Sequence, residues 1–180
     1  MVDDLVRLVY ASEATFDAAD QGIELEVGRI LTESRRNNAR AEVGGVLYYG
    51  NGYFFQCLEG QRDAVVETYQ RICNDPRHKN AKVLLKGFTK RRLFQDWSMK
   101  YLPAEKNLRD FLAQHSLTEF SPFDYDREMV GRLLIFFQQA KESGELAENS
   151  AEQQQAVATE TNEQSSKQAK TGWRRLFNRG

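Results

Sequence analysis

The amino-acid sequence predicts an α+β fold of the ferredoxin-like, split β-α-β kind. The expected order is β-α-β-β-α-β-β, with two helices on one face of the sheet and C-terminal helices packing on the other. Three observations carry this expectation. Short β-branched runs alternate with segments of helical period in the order that two split β-α-β units require. A Gly50-Asn51-Gly52 turn joins two adjacent strand-like runs as a hairpin. An amphipathic stretch near the end of the ordered sequence has an apolar stripe that needs a surface to cover.

The first strand is "LVRLVYAS" (5–12), apolar and β-branched. Period-two alternation puts Val6, Leu8 and Tyr10 on one face and Arg7, Val9 and Ala11 on the other. A helix follows, with Ile23, Val27, Ile30, Leu31 and Ser34 at spacings of three and four, running to about residue 38. "VGGVLYYGNGYFFQCLEG" then supplies the hairpin. A second helix covers about 62–74, with Val65, Val66, Tyr69, Ile72 and Cys73 assigned to its apolar face, and Pro76 ends it. "AKVLLKGFTK" (81–90) is the fourth strand and "WSMKYLP" (97–103) a short fifth. Beyond Pro103, residues 108–114 and 126–143 read as helices, the second carrying Met129, Leu133, Leu134, Phe136 and Phe137 toward the open sheet face.

Three regions follow: an α/β unit over 1–103, a helical extension over 104–144, and a low-complexity tail over 145–180. The tail is too polar to offset its chain entropy by burial, and it is expected to be disordered. It ends in the basic-aromatic "GWRRLFNRG", read as a solvated end, with docking on an acidic partner or an anionic membrane surface as the alternative.

Composition narrows the function classes. The 25 basic and 26 acidic side chains nearly cancel, giving no general case for direct nucleic-acid binding. No run of about 18 apolar residues is present, so no membrane-spanning segment is expected. The opening "MVDDLVRLVY" lacks the basic region and apolar core of a signal peptide, and Cys57 and Cys73 form no CxxC pair. Reduced cysteines in the cytoplasm are the expected setting. His78 and His115 lie far apart in sequence, which argues against a metal site.

The candidate site residues are polar groups placed where a core is expected. Tyr10 lies on an apolar strand, Asn37 and Asn38 close the first helix, and Gln56 interrupts the strand "YFFQCLEG". Arg71 and Asp75, four residues apart, would share a face at the end of the second helix. Each has an ordinary structural reading: a core tyrosine, a helix C-terminal cap at Asn38, a solvated ion pair. Gln56 is the hardest to explain in that way, because a buried primary amide needs a partner at both ends. Together these groups suit a planar, uncharged heterocycle whose edge alternates donors and acceptors.

The segments "RLVYAS", "SRRNN", "FFQCLEG", "RICNDPRH" and "WSMKYL" occur in order, and over residues 4–102 the chain closely resembles a BLUF domain, the blue-light sensor that uses FAD. The resemblance implies that 1–103 is a flavin-binding photosensor of the short, single-domain type. It implies that Tyr10 is the photoactive electron donor and that Gln56 bridges Tyr10 to the flavin edge. Asn38 would hold the neighbouring side of the ring, with Asn37 nearby, and Arg71 and Asp75 would lie at the pyrimidine edge. Trp97 and Met99 would pass the signal outward. The implied cycle leaves no net chemical change: the Gln56 hydrogen bonds rearrange, absorption moves slightly to the red, and the dark state returns. One departure is Gly45, where many members carry threonine, a position without a photochemical role.

No cyclase or phosphodiesterase signature accompanies these motifs, so the output is expected to be an altered protein–protein contact, with a transcriptional regulator among the candidate partners and a homo-oligomer also considered. The competing readings are a flavin-dependent enzyme, which lacks a nicotinamide fingerprint and an obvious acid or base here, and a cofactor-free ferredoxin-like module, for instance for RNA.

Overall fold

The computed structural model describes residues 4–16, 22–94, 100–101 and 105–142 of the 180-residue chain. The elements are β1 (Leu5–Ala14), α1 (Ile23–Arg40), β2 (Gly44–Gly50), β3 (Tyr53–Gln61), α2 (Arg62–Cys73), β4 (His78–Phe88), β5 (Lys100–Tyr101), α3 (Glu105–Gln114), a short 3-10 turn (Pro122–Asp124) and α4 (Arg127–Glu142). The sheet order is β4-β1-β3-β2-β5. β4, β1, β3 and β2 pair antiparallel, and β5 runs parallel to β2. This is the expected ferredoxin-like arrangement with one added strand.

β1 and β3 are the central strands, so their two sets of alternating side chains enter two different cores. On one face Leu8, Tyr10, Phe54 and Leu58 pack with Val27, Ile30 and Leu31 of α1 and Val65 of α2. On the other, Val9, Phe55 and Cys57 pack with Leu108 and Leu112 of α3 and with Val130, Leu133 and Phe137 of α4. Both faces of the sheet are thus covered, which accounts for the nearly unbroken apolar runs of its central strands. The face assignments read from the period-two pattern of β1 hold at Leu8, Val9 and Tyr10, and β3 alternates in the same way, with Phe54 and Leu58 on one face and Phe55 and Cys57 on the other.

The hairpin turn is Asn51-Gly52, with φ of 51° and 78°. Both central residues in the left-handed region match the twist of the flanking strands, as a type I′ turn requires. α1 runs two residues past the expected end. It closes with the Val43 amide donating to the Asn38 carbonyl at 2.9 Å and the Glu42 amide donating to the Ala39 carbonyl at 3.4 Å. Glu42 takes the left-handed position at φ 53°, and the pattern is a Schellman closure. Asn38 therefore contributes its backbone carbonyl to the closure, and the left-handed position expected of a cap at Asn38 is taken by Glu42.

α2 differs from its sequence reading in two ways. It ends at Cys73, so Asp75 lies beyond the helix and shares no helical face with Arg71. Its sheet-facing stripe is Val65, Thr68, Tyr69 and Ile72, whereas Val66 is 41% exposed and Cys73 is exposed. At 100° per residue, Val66 falls off the stripe that Val65 begins. β4 starts at His78, three residues earlier than the apolar run indicates. Trp97, Met99 and the tail over 145–180 lie outside the described residues.

Candidate functional site

The site begins with strand register. Tyr10 on β1 is directly opposite Gln56 on β3, and both point to the α1–α2 face. Directly opposed antiparallel residues hold their Cβ atoms about 5 Å apart, within reach of a side-chain bond. The Tyr10 hydroxyl donates to Gln56 Oε1. Tyr10 is fully buried and Gln56 is 3% exposed. The accepting oxygen faces Tyr10, so the Gln56 Nε2 group is turned away from it.

Tyr10 is also positioned by an irregularity. Opposite the Val9–Tyr10 step, the β1–β4 pairing shifts by one residue at Leu84. Such bulges sharpen the local twist and re-aim a side chain. The Tyr69 ring of α2 lies 5.2 Å from that of Tyr10, tilted by 57°. Burial pushes the Tyr10 phenol well above its usual range, with smaller contributions from Cys73, Tyr69 and Asp75. Tyr10 therefore keeps its proton at neutral pH, and its hydroxyl is the donor in the bond to Gln56 Oε1.

Asn38, 2% exposed, lies in the last turn of α1, and Asn37 beside it is half-buried. Arg71 is exposed in the last turn of α2 and is not paired with Asp75. Asp75 is instead held by Arg77: Nε donates to Oδ1 at 2.9 Å and Nη2 to Oδ2 at 2.6 Å. The Arg77 hydrogen bonds keep the Asp75 carboxyl below its usual range. Arg77 also bonds Glu33 of α1 at 2.5 Å, so one guanidinium ties the end of α2 to α1. The pairing expected of Arg71 is made by Arg77, because the chain turns at Pro76 and brings position 77 back onto Asp75.

Two further polar residues escaped the sequence reading. Ser12 is fully buried, and its hydroxyl lies 2.8 Å from His78 Nδ1. The His78 ring sits 4.4 Å from that of Phe54. Burial lowers the His78 pKa to about 4, leaving a neutral imidazole at pH 7. Ser12 was legible in principle, since it is two residues from Tyr10 and so on the same side of β1. Its partner was not, because that contact joins positions far apart in sequence.

The residues present fit a flavin. Burial has gathered uncharged amides on the α1–α2 side of the sheet, the chemistry that an alternating donor–acceptor edge requires. Thr68, 2% exposed on the sheet-facing side of α2, has a hydroxyl with no hydrogen-bond partner. An unmet buried hydroxyl costs about 1–3 kcal/mol, so it marks a place where a bound group can add a bond. Among the described residues no His, Cys, Asp and Glu cluster is suited to a metal ion. No described helix is long and apolar enough to cross a membrane.

The family model described as "BLUF: Sensors of blue-light using FAD" matches residues 5–100, more than half of the chain. The chain belongs to the BLUF family. It is 32% identical over 110 residues to the blue light- and temperature-regulated antirepressor BluF of Escherichia coli K12, covering 61% of this chain and 26% of that protein. It is 33% identical over 116 residues to the photoactivated adenylate cyclase subunit beta of Euglena gracilis, covering 61% of this chain and 13% of that one. The BLUF chain thus spans only a minor part of these relatives' lengths. Among solved BLUF structures, BlsA in its photo-activated state superposes with a TM-score of 0.69 at 33% identity, covering 74% of this chain and 94% of BlsA. The dark state of BlrB gives 0.64 at 28% identity, covering 78% and 99%. As a member of the family, the chain is a flavin-using blue-light sensor.

Proposed function

We propose that the chain holds FAD non-covalently between α1 and α2 and signals through a Tyr10–Gln56 hydrogen-bond switch. The observation that carries this reading is the buried Tyr10–Gln56 bond, set by strand register on the face that the two helices cover. When bound, the flavin supplies blue-light absorption and an excited state that takes up an electron. Tyr10 is the donor, and its hydroxyl proton leaves toward Gln56 Oε1. The return of electron and proton restores Tyr10, while the Gln56 amide is left rotated or tautomerised. The change that persists is one of donors and acceptors around Gln56, a local event that biases a two-state element.

Asn38 is the amide that holds the ring edge beside Gln56, with Asn37 next to it. Asp75 and Arg71 are assigned to the pyrimidine edge, where Arg77 orients the Asp75 carboxylate. Trp97 and Met99 carry the change outward. The output is altered affinity for a protein partner, with a transcriptional regulator favoured by the antirepressor name of the E. coli relative.

The deciding experiment is an absorption spectrum of the purified protein before and after blue light, followed by mass analysis of the released cofactor. A yellow protein with a reversible red shift and released FAD is expected. A colourless protein that flavin does not reconstitute overturns the reading, and released FMN overturns the choice of dinucleotide.

A further inference from the structure

On the sheet face opposite Tyr10 and Gln56, β3 carries a second buried polar residue. Glu59 has no solvent exposure although it sits among Phe55 and Cys57 on the α3–α4 side. Both carboxylate oxygens are engaged. Arg7, its directly opposed partner on β1, donates from Nε to Oε1 at 2.6 Å. The backbone amide of Phe94 donates to Oε2 at 3.0 Å. Burying a carboxylate is costly unless it is paired and hydrogen-bonded, and both conditions are met at Glu59.

What Glu59 fixes is the connection leaving β4. Three bonds draw residues 89–94 back onto the central strands. The Thr89 amide donates to the Leu5 carbonyl at 2.9 Å, Arg7 Nη2 donates to the Arg91 carbonyl at 3.3 Å, and the Phe94 amide bonds Glu59. Phe94 itself is fully buried in the core shared with α3 and α4. One strand therefore bears Gln56 on one face and, three residues on, the anchor of this connection on the other.

We propose that Glu59 is a positioning residue for signal output: it ties the β4–β5 connection and Phe94 to β3, so that a change at Gln56 reaches the α3–α4 core through that strand. This rests on the Gln56 switch proposed above for its light dependence, but the tie itself does not. Arg7 neutralises the buried carboxylate and holds the Arg91 carbonyl, and Glu59 holds the backbone amide of the buried Phe94.

The test uses the full-length protein with its flavin. Trypsin cleavage after Lys90, Arg91 and Arg92 is followed by mass analysis in the dark and under blue light, for wild type and for Glu59→Gln. In the dark, Glu59→Gln should be cut about tenfold faster, the factor expected when local opening no longer breaks one charge-assisted bond. Wild type should show a lit-to-dark contrast in cleavage, and Glu59→Gln should lose that contrast while keeping its red shift. Hydrogen exchange of the Phe94 amide in the unsubstituted protein, about tenfold faster in the light, gives the same answer without any variant. The proposal is overturned if Glu59→Gln is cut like wild type in the dark or keeps the full contrast. Loss of the red shift in Glu59→Gln, or Phe94 exchange equal in light and dark, also overturns it. A wild type with no red shift would instead defeat the switch reading, and the dark cleavage comparison would still decide whether the tie exists.

Discussion

Acidification should destabilise this protein well above the range where its carboxylates titrate, and His78 is the cause. Its imidazole is buried against Phe54 with Nδ1 at Ser12, and its pKa falls from 6.5 to about 4. Between those values the unfolded chain binds a proton that the folded chain refuses, so stability rises with pH across the window and is lost as pH falls through it. A shift of that size corresponds to roughly 3 kcal/mol in full, of which about 2 kcal/mol is lost between about pH 7 and pH 5. The Asp75–Arg77 pair does not contribute there. Its lowered carboxyl pKa makes it lose stability only as pH falls below the ordinary carboxylate value near 4. Urea unfolding of the holoprotein at fixed excess flavin, at about pH 7 and about pH 5, measures the effect, with His78→Gln as the non-titrating control. Wild type should lose about 2 kcal/mol more than His78→Gln over that interval. Equal losses in the two proteins would refute the assignment.

Other perturbations test the packing and the closures. Phe137→Ala, in the core that α4 forms on the sheet, should cost about 3–5 kcal/mol in urea unfolding, while Val66→Ala on the exposed side of α2 should change stability by less than about 0.5 kcal/mol. Glu42→Gly should stabilise by about 0.5–1 kcal/mol, because glycine removes the left-handed penalty at φ 53° and the side chain lost is exposed. Arg77→Ala should cost about 1–2 kcal/mol by releasing the bidentate bond to Asp75 and the link to Glu33, and it should weaken flavin retention on gel filtration. Unchanged retention would show that Asp75 needs no orienting partner.

The strands were the most legible part of the chain, since period two left no choice about which side of β1 and β3 each residue takes. The family resemblance brought Tyr10 and Gln56 together, and the antiparallel register of β1 and β3 sets them directly opposite each other. The helices were less legible at their margins. Val66 and Cys73 are apolar enough to be assigned inward, yet the geometry of α2 turns them out and brings Thr68 in. Asn38 resembled a cap because asparagine tolerates left-handed backbone, but the chain spends that conformation on Glu42 instead. Contacts across the fold, such as Ser12 with His78 and Glu59 with Phe94, leave no local trace. They exist only once β1 lies between β3 and β4 and the connection after β4 folds back. The Asp75 partner was misassigned for a related reason: spacing of four implies a shared face only while a helix continues, and α2 stops at Cys73.

The Tyr10–Gln56 switch is tested most directly by the light-minus-dark absorption spectrum of Tyr10→Phe and Gln56→Leu beside wild type. Both variants should bind flavin and show no reversible red shift, since one lacks the hydroxyl that donates the bond and the other the amide that receives it. A full red shift in either variant would contradict the mechanism.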